Sequence, residues 1–327
     1  MIISRTPFRV SLAGGGSDFA EYYRHRPGHV VSMAINRYMY VTVNRRFDDL
    51  IRVSYTRTEI VGHVDEVQHD LIREALRMTG VARGVEITTI ADLPAGIGLG
   101  SSSSLTVGVL NALYALKGEH RPPAELARRA CEIEIDVLKR PIGRQDQYIA
   151  AFGGLQEIHF NADDSVMVRP VLCSLEHRDA LLRRLMLFYT GTSRDAGSVL
   201  VEAKTKLGES NGRCHVDGIV EVAGCVRQAL VNGRVCHIGR LLDHSWALKK
   251  QLASTVSNGR LDELYAFAVK AGADGGKVSG AGGGGCLLVF AKPAARARVR
   301  AAMLRSGLRE VPLGFEQEGS RIIHYSE

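Results

Sequence analysis

Short runs of β-branched and aromatic residues alternate along the chain with apolar residues spaced three and four positions apart. The first pattern predicts strands and the second predicts helices. Strands are predicted at residues 2–13, 30–43, 51–55, 85–93, 155–160, 165–170, 185–189, 286–290 and 321–324. Helices are predicted at residues 65–78, 105–116, 124–138, 196–207, 216–231, 235–252, 261–271 and 294–306. Because both halves mix the two patterns, we expect an α+β fold with one domain at residues 1–175 and a second at 176–327.

One stretch, residues 93–105 (LPAGIGLGSSSSL), joins a predicted strand to a predicted helix through bare backbone. Gly96, Gly98 and Gly100 alternate with apolar residues, and four serines follow at once. Glycines let amide groups approach a ligand, and the first N–H groups of a helix carry partial positive charge without an internal partner. A phosphate is the natural occupant of such a site. A plain turn has the same composition, however, and neither of the two common phosphate-loop motifs matches.

Charge and composition narrow the class of ligand. The chain has 327 residues, of which 45% are hydrophobic and 24% charged, and its net charge is +7. The basic residues are scattered rather than interleaved with aromatic ones, so we expect anionic small molecules rather than nucleic acid as partners. There is no run of 18 apolar residues, no secretory leader pattern and no paired metal-binding spacing among the six cysteines. We therefore expect a soluble cytoplasmic protein without a membrane partner.

Two pairs of residues suit phosphoryl-transfer chemistry. Arg9 lies in a strand-like run and Asp18 just beyond a glycine trio, where a solvated arginine and a turn aspartate are the simpler interpretations. Glu134 and Asp146 offer two carboxylates, one able to hold Mg²⁺ and one able to accept a proton or orient a hydroxyl. A solvated glutamate and a plain ion pair are the alternatives, since Glu134 lies off the apolar stripe of the predicted helix 124–138. That stripe consists of Leu126, Ala130, Ile133 and Val137.

A second glycine-rich segment lies near the C-terminus. Residues 277–290 (KVSGAGGGGCLLVF) place five glycines within six positions, directly before an apolar strand. So dense a run is costly in chain entropy. A hinge would explain it, but the core strand that follows at once favours close approach of the backbone to a ligand.

Taken in order, residues 7–18, 94–104 and 277–285 resemble the three motifs of the GHMP kinases, the family of galactokinase, homoserine kinase and mevalonate kinase. These motifs are an N-terminal P-x-R-[VI]-x-[LF]-x-G…D, a central P-x-x-x-G-L-G-S-S and a C-terminal G-A-G-G-G-G. The resemblance covers essentially the full chain. It implies the two-domain GHMP kinase fold, with an N-terminal domain that shares its fold with a ribosomal protein and a ferredoxin-like C-terminal domain. It also implies ATP and Mg²⁺ as cofactors.

The resemblance implies a role for each matching residue. Asp146 matches the catalytic aspartate, and Arg9 matches the basic residue that steadies the transferring charge. Ser102 and Glu134 match the Mg²⁺ ligands, and Asp18 matches a ligand of the sugar hydroxyls. The residues implied to bind the ATP phosphates are Pro94, Gly96, Gly98, Gly100, Ser101, Ser102, Ser103 and Ser104. Those implied to contact the acceptor or close its site are Gly15, Gly16, Gly282, Gly283 and Gly284.

Several segments resemble one branch of the family, the kinases of D-glycero-D-manno-heptose 7-phosphate. Galactokinases carry E-H-T-D at the position of Gly15-Gly16-Ser17-Asp18, and this difference implies a larger, already phosphorylated sugar. The implied reaction transfers the γ-phosphoryl group of ATP to the anomeric hydroxyl. A phosphorylated acceptor needs a cationic pocket, for which Arg144, Arg194 and Lys277 are the candidates. A kinase for a galactose- or fucose-like sugar, and a catalytically silent ligand sensor of the same fold, remain alternatives; a homodimer is compatible with either.

Overall fold

The structure, a computed structural model, describes residues 1–191 and 196–326. Its strands are β1 (Ile2–Ala13), β2 (Gly28–Arg45), β3 (Ile51–Ser54), β4 (Thr58–Val61), β5 (Val85–Ala91), β6 (Leu155–Phe160), β7 (Val166–Pro170), β8 (Leu185–Tyr189), β9 (Ala273–Val278), β10 (Cys286–Ala291), β11 (Arg309–Val311) and β12 (Arg321–Tyr325). Its α-helices are α1 (Ala20–Tyr23), α2 (Asp70–Thr79), α3 (Ser101–Leu116), α4 (Pro123–Cys131), α5 (Gln145–Phe152), α6 (Leu175–Leu182), α7 (Ala196–Leu207), α8 (Ser210–Val231), α9 (Ile238–Lys249), α10 (Gly259–Lys270) and α11 (Pro293–Arg305). Short 3₁₀ turns span Val64–Glu66 and Val235–His237, and a π-helical segment spans Glu132–Val137.

The first sheet is organised around β2, whose length lets it pair with three neighbours. Its first half pairs with β6 and its second half with β5, while β1 runs antiparallel to it along most of its length. The sheet continues from β5 through β3 to β4, and β7 extends it beyond β6. Helix α3 packs against β1 and β2 and also contacts α2, α4 and α5. It is buried on nearly every side because its sequence is apolar almost throughout.

The second sheet is antiparallel and has the order β11-β8-β10-β9. Strands β8 and β10, the first and third along the chain, lie at the centre of this sheet. Strands β9 and β11, the second and fourth, lie at its edges, and α11 joins β10 to β11. This is the arrangement of a ferredoxin-like domain. Together the two sheets confirm the α+β class and the ferredoxin-like second half. Within the described ranges, none of the helices combines the length and the hydropathy that a membrane crossing requires.

The end of the chain returns to the first sheet. Strand β12 pairs antiparallel with β1, and Phe315 bridges to Ile35 of β2. The predicted C-terminal domain of residues 176–327 is therefore wrong in its last segment, because the free edge of β1 is closed by residues 321–325. The boundary at residue 175 stays a prediction.

The predicted helix 124–138 changes its geometry midway. It is α-helical only as far as Cys131 and continues as the π-helical segment Glu132–Val137. A wider turn rotates the side chains that follow it away from the 3.6-residue stripe. Val137, predicted to be buried, is accordingly 49% exposed, whereas Glu134 is completely buried. The alternative interpretation, a solvated Glu134, is wrong for this reason.

Other elements were absent from the predicted pattern because they are short or polar. Helices α1, α5 and α6 have four to eight residues, and β4 and β11 are equally short. Helix α8 begins at Ser210, six positions before the predicted start, because its first turns are polar and carry no apolar stripe. Of these elements α5 matters most, since it carries Asp146.

Candidate active site

Two glycine-rich loops, one from each half of the chain, meet above the start of α3. Gly98 adopts a left-handed φ of +79°, and a Cβ there would lie 2.4 Å from the carbonyl oxygen of Ser279. The hydroxyl of Ser279 donates to the carbonyl of Gly98 at 3.0 Å. Any side chain at Gly98 would therefore separate the loops. The contact forms one continuous backbone wall beside the N-terminus of a sixteen-residue helix, where an anion is stabilised.

The wall borders two adjacent cavities. The first, the nucleotide cavity, is lined by Gly96, Gly98, Gly100, Ser101–Ser103, Glu134, Arg140, Ser279, Gly280, Gly282 and Gly284. The second, the acceptor cavity, is lined by Ser11, Gly15, Gly16, Asp18, Gln145, Ser245, Lys249 and Lys277, with apolar residues of α7 and α8. Arg9 and Asp146 line both cavities. They therefore lie at the junction, where a donor in one cavity meets an acceptor in the other.

Arg9 and Asp146 form a bidentate ion pair. The Nε and Nη2 atoms of Arg9 donate to the two carboxylate oxygens of Asp146, each at 2.6 Å. Nη1 of Arg9 donates to the carbonyl oxygen of Gly98, also at 2.6 Å. Arg9 is buried, so the simpler interpretation of a solvated arginine is wrong. Each carboxylate oxygen keeps lone pairs beyond those used by Arg9, so Asp146 can still accept a hydrogen bond from a hydroxyl.

The buried carboxylate of Glu134 faces the first turn of α3. Its Oε2 accepts a hydrogen bond from the hydroxyl of Ser102 at 3.0 Å, and its Oε1 accepts one from Nε2 of Gln147 at 2.9 Å. Burial raises the pKa of Glu134, and the hydrogen bonds from Gln147 and the serines oppose that shift. A buried carboxylate in contact with cations or donors on one side is typical of a site completed by a positive ligand.

Ser102 and Glu134 fit the geometry that Mg²⁺ requires. Two neighbouring ligands of an octahedral Mg²⁺ ion, each bound at about 2.1 Å, lie about 3.0 Å apart. The hydroxyl of Ser102 and the Oε2 atom of Glu134 are separated by this distance. Both atoms are hard oxygens beside a glycine-rich loop at a helix N-terminus, where a bound Mg²⁺ would complete its shell with water and phosphate oxygens.

Arg140, which the sequence analysis missed, lies beside this pair. Its Nη1 donates to the hydroxyl of Ser102 at 2.6 Å, and its Nη2 lies 3.0 Å from a carboxylate oxygen of Asp70. Lys139 precedes it with a left-handed φ of +54°, which ends the π-helical segment and turns Arg140 toward the cavity. No motif marks Arg140, because its position depends on the π-turn.

The acceptor cavity contains a polar cluster formed by Ser11, Asp18 and Gln145. Asp18 is buried, and its carboxylate accepts from the amide of Gly16 at 2.9 Å and from Nε2 of Gln145 at 3.0 Å. Burial raises the pKa of Asp18, while these hydrogen bonds lower it. In the same cavity, the hydroxyl of Ser11 and the Oε1 atom of Gln145 are buried without a hydrogen-bond partner among the described residues. Unpaired polar atoms in a cavity favour a ligand with hydroxyl groups.

Two lysines also face this cavity, Lys277 buried and Lys249 partly buried. The ammonium of Lys277 donates to the carbonyl of Leu12 at 3.3 Å, and that of Lys249 donates to the carbonyl of Gly280. Neither forms an ion pair with a carboxylate in residues 1–191 and 196–326. Burial lowers the pKa of Lys249 to about 8. Burial, with the charges of Lys249 and Arg9, holds the pKa of Lys277 well below its ordinary value. Lys277 was a candidate from the sequence; Lys249 sits on an ordinary helix and carried no signal.

Several predicted residues are not brought into these cavities. The Arg144 guanidinium stacks on Tyr23 and donates to the carbonyl of Asp164 at 3.1 Å, on a different surface, so the prediction that it faces the acceptor is wrong. The hydroxyl of Ser104 donates instead to the carbonyl of Pro7 at 2.8 Å and anchors α3 to β1. Pro94 is exposed outside both cavities, and the amide of Gly283 donates to the carbonyl of Val256. Gly282, predicted on the acceptor side, lines the nucleotide cavity instead. Arg194 lies outside the described residues.

Comparison with known proteins supports the same family for both halves of the chain. Residues 66–154 match the model of the GHMP kinases N terminal domain, and residues 226–309 match that of the GHMP kinases C terminal domain. The D-glycero-alpha-D-manno-heptose 7-phosphate kinase of Campylobacter jejuni is 30% identical, with 97% of each chain covered.

Solved structures agree with these matches. A crystal structure named as a D-glycero-D-manno-heptose 1-phosphate kinase from Bacteroides thetaiotaomicron superposes with a TM-score of 0.82 at 27% identity, covering 100% of both chains. Galactokinase of Lactococcus lactis, solved with galactose, shares the fold with a TM-score of 0.77 at 19% identity, covering 98% of this chain and 94% of its own. Kinases of this family use ATP, typically with Mg²⁺. The chain belongs to the GHMP kinases.

Proposed function

We propose that this kinase transfers the γ-phosphoryl group of ATP to the anomeric hydroxyl of D-glycero-D-manno-heptose 7-phosphate, giving the 1,7-bisphosphate. The observation that carries the proposal is the pair Lys249 and Lys277, one partly buried and one buried lysine that face the acceptor cavity and have no carboxylate partner in the described part of the chain. A buried cation without a counter-ion is costly, and an anionic group on the acceptor removes that cost. A second phosphate, already present on the sugar, is such a group. The name of the Campylobacter relative supports the same acceptor.

The nucleotide fits a continuous surface on the other side of Arg9. The triphosphate would lie against Gly96, Gly98, Gly100 and the first turn of α3. A third cavity shares Gly96, Ser101, Ser102 and Arg140 with the nucleotide cavity and is lined further on by Tyr55 and His69, whose rings meet edge to face. It shares no lining residue with the acceptor cavity, so we infer that the base and ribose would bind there.

Residues of this chain would supply most of the catalysis by position and charge. Ser102 and Glu134 would hold Mg²⁺, whose charge would offset the negative charge that develops on the phosphate oxygens. Arg9 is held by Asp146 and by the carbonyl of Gly98, so its charge is fixed at the junction between donor and acceptor. Asp146 would accept a hydrogen bond from the anomeric hydroxyl and take its proton as the new O–P bond forms, while the bond from the γ-phosphorus to the β–γ bridging oxygen breaks and ADP leaves. No water is needed in the reaction, and the contact between the two glycine loops helps to exclude it.

The polar cluster of Ser11, Asp18 and Gln145 would bind the sugar hydroxyls. Asp18 keeps its carboxylate toward the cavity, while Ser11 and Gln145 offer atoms that have no other partner in the described part of the chain. Gly15 and Gly16 leave space beside them, which a seven-carbon sugar requires more than a hexose does.

An acceptor panel tests the proposal. Phosphoryl transfer from ATP is measured with heptose 7-phosphate, heptose 1-phosphate, unphosphorylated heptose, galactose, fucose and mevalonate. We expect heptose 7-phosphate to give the highest kcat/KM, about 10²-fold above the unphosphorylated sugar. Heptose 1-phosphate, which the name of the Bacteroides structure suggests, has no free anomeric hydroxyl. Its preferential turnover, or that of an unphosphorylated sugar, would contradict the proposed acceptor.

Lys249→Met is expected to raise KM for the phosphorylated acceptor about tenfold and to leave KM for ATP nearly unchanged. The reason is loss of one cation from the acceptor cavity. The pH dependence adds a second readout. Because burial lowers the pKa of Lys249 to about 8, the free enzyme loses this charge as the pH rises through that value, and kcat/KM for the acceptor should fall. The variant should lack that limb of the profile.

Lys250→Met is the matched control, since Lys250 follows directly on the chain but contacts Asp262 at the surface. It should behave as the wild type. Equal effects of both variants on KM, or an unchanged discrimination against unphosphorylated heptose in Lys249→Met, would exclude the lysine as a ligand of the distal phosphate.

A further inference from the structure

A second cluster of ligand-type side chains lies on the first sheet, outside the cavities described above. His29 of β2 and His159 of β6 are direct partners in the antiparallel ladder. Their rings stack with centroids 4.4 Å apart and planes within 6° of parallel. Glu157 lies two residues before His159, so its side chain projects from the same face of the sheet. The register of this strand pair therefore brings two imidazoles and one carboxylate together.

The spacing of the three groups suits a single transition-metal ion. Oε2 of Glu157 lies 3.7 Å from Nε2 of His29 and 3.5 Å from Nε2 of His159. One ligand atom from each residue lies within 4.8 Å of the other two. Two tetrahedral ligands bound to zinc at about 2.05 Å are about 3.3 Å apart, so small side-chain rotations complete the geometry. The observed separations are too long for hydrogen bonds between the carboxylate and either imidazole.

One ring nitrogen of His29 makes no hydrogen bond to the described part of the chain. This atom, Nε2, is buried. An imidazole nitrogen binds a metal in its neutral form. A buried imidazole nitrogen that faces a carboxylate oxygen at 3.7 Å with no hydrogen bond between them is a costly arrangement that a bound cation would relieve.

We propose that His29, Glu157 and His159 form a binding site for one divalent transition-metal ion of the Zn²⁺ type, with solvent as the fourth ligand. Two nitrogen ligands favour Zn²⁺ over Mg²⁺, so the site is chemically distinct from the oxygen pair at Ser102 and Glu134. The bound ion would stabilise the pairing of β2 with β6, because its ligands come from both strands.

The site is linked to the acceptor side of the molecule through hydrogen bonds between the backbone of His29 and the hydroxyl of Ser17. The amide of His29 donates to the hydroxyl of Ser17 at 3.0 Å. Ser17 directly precedes Asp18 and donates its hydroxyl to the carbonyl of Gly14 at 2.7 Å. An ion held by His29 would thus support the glycine turn from behind, without entering the acceptor cavity.

Arg227 of α8 is the charged group that opposes a cation here. Its Nε atom forms an ion pair with the same Oε2 atom of Glu157, at 2.9 Å. The side chain of Arg227 is 43% exposed, so it can move into solvent and leave that oxygen free. This competition provides a test of the proposal. Arg227→Gln should bind zinc more tightly than the wild type, because it removes a positive charge that competes with the metal for Glu157.

The experiment is a titration of the metal-free full chain with Zn²⁺ by calorimetry, in excess Mg²⁺ so that the oxygen pair is saturated. We expect one ion per chain, binding about tenfold more weakly in His159→Ala and Glu157→Gln, and about threefold more tightly in Arg227→Gln. His324→Ala removes an exposed histidine elsewhere on the same sheet and should change nothing. Circular dichroism establishes that each variant is folded.

Cobalt distinguishes this site from the exposed cysteines, Cys214, Cys225 and Cys236. Co²⁺ bound by imidazole and carboxylate shows d–d absorption without a thiolate charge-transfer band. Absence of stoichiometric binding in both wild type and Arg227→Gln would overturn the proposal. So would a thiolate band, or an affinity unaltered in both His159→Ala and Glu157→Gln.

Discussion

Asp146→Asn is expected to lower kcat by about 10²–10⁴-fold and to change KM for ATP little. The amide keeps the shape of the side chain and one acceptor oxygen for Arg9, but it cannot take a proton from the acceptor hydroxyl. It also leaves the charge of Arg9 uncompensated at the junction between the two cavities. Steady-state rates with ATP and heptose 7-phosphate, together with single-turnover rates, measure the chemical step directly.

Asp136→Asn is the matched control, because Asp136 is exposed at the end of the π-helical segment and lines neither the nucleotide nor the acceptor cavity. A double-mutant cycle with Arg9→Met separates two roles of Asp146. If Asp146 acts only by holding Arg9, the double variant should be no slower than Arg9→Met alone. If it also accepts the proton, the double variant should be slower. A wild-type kcat for Asp146→Asn would remove Asp146 from the chemistry altogether.

The backbone elements of the site were accessible from sequence because their signals are local. A glycine that needs positive φ, or a loop that needs bare backbone, restricts residue type at that position whatever the rest of the fold does. Gly98 and Gly280 are of this kind, and the structure brings their loops into contact. Apolar periodicity likewise predicted α3, whose burial is set by its own composition.

Some features of the site depend on geometry acquired only in the folded chain. Glu134, a candidate from the sequence, is off the stripe of a regular helix and becomes buried because a π-turn rotates it inward. Arg140, which no motif marks, reaches the nucleotide cavity through the same turn. Lys249, which carried no signal either, meets Lys277 because α9 packs against β9. No spacing along the chain encodes such meetings, because they depend on how the elements pack.

The roles implied by family resemblance differ in how well geometry supports them. Arg9, Asp146, Ser102 and Glu134 converge beside one loop, as a phosphoryl-transfer site requires. Arg144 does not, since Asp164 and Tyr23 hold it on another surface. A cation such as Arg144, chosen only because it lies near a motif, is thus a weak indication of a site residue. The spacing between the two carboxylates Glu134 and Asp146 is a stronger one.

Glu134→Gln is expected to raise the Mg²⁺ concentration needed for half-maximal rate by about 10–100-fold, with a matching fall in activity at low Mg²⁺. The amide has the shape of the carboxylate and can still accept from Nε2 of Gln147, but it lacks the charge that would hold the ion. The measurement is initial rate against free Mg²⁺ at saturating ATP. Glu132→Gln is the matched control, since Glu132 lies on the same π-helical segment but its side chain remains partly exposed.

Thermal unfolding of the same variant without ligands separates a metal ligand from a structural residue. Burial raises the pKa of Glu134, which means that the folded state disfavours its charged form relative to the unfolded state. Above the folded pKa the carboxylate is charged and its burial opposes folding, so a neutral amide of the same size should leave Tm unchanged or raise it. A residue kept only for packing would show the reverse. A lower Tm with an unaltered Mg²⁺ requirement would therefore contradict a metal-binding role for Glu134. An unchanged or higher Tm with a raised Mg²⁺ requirement would show that this charge serves the metal and opposes folding.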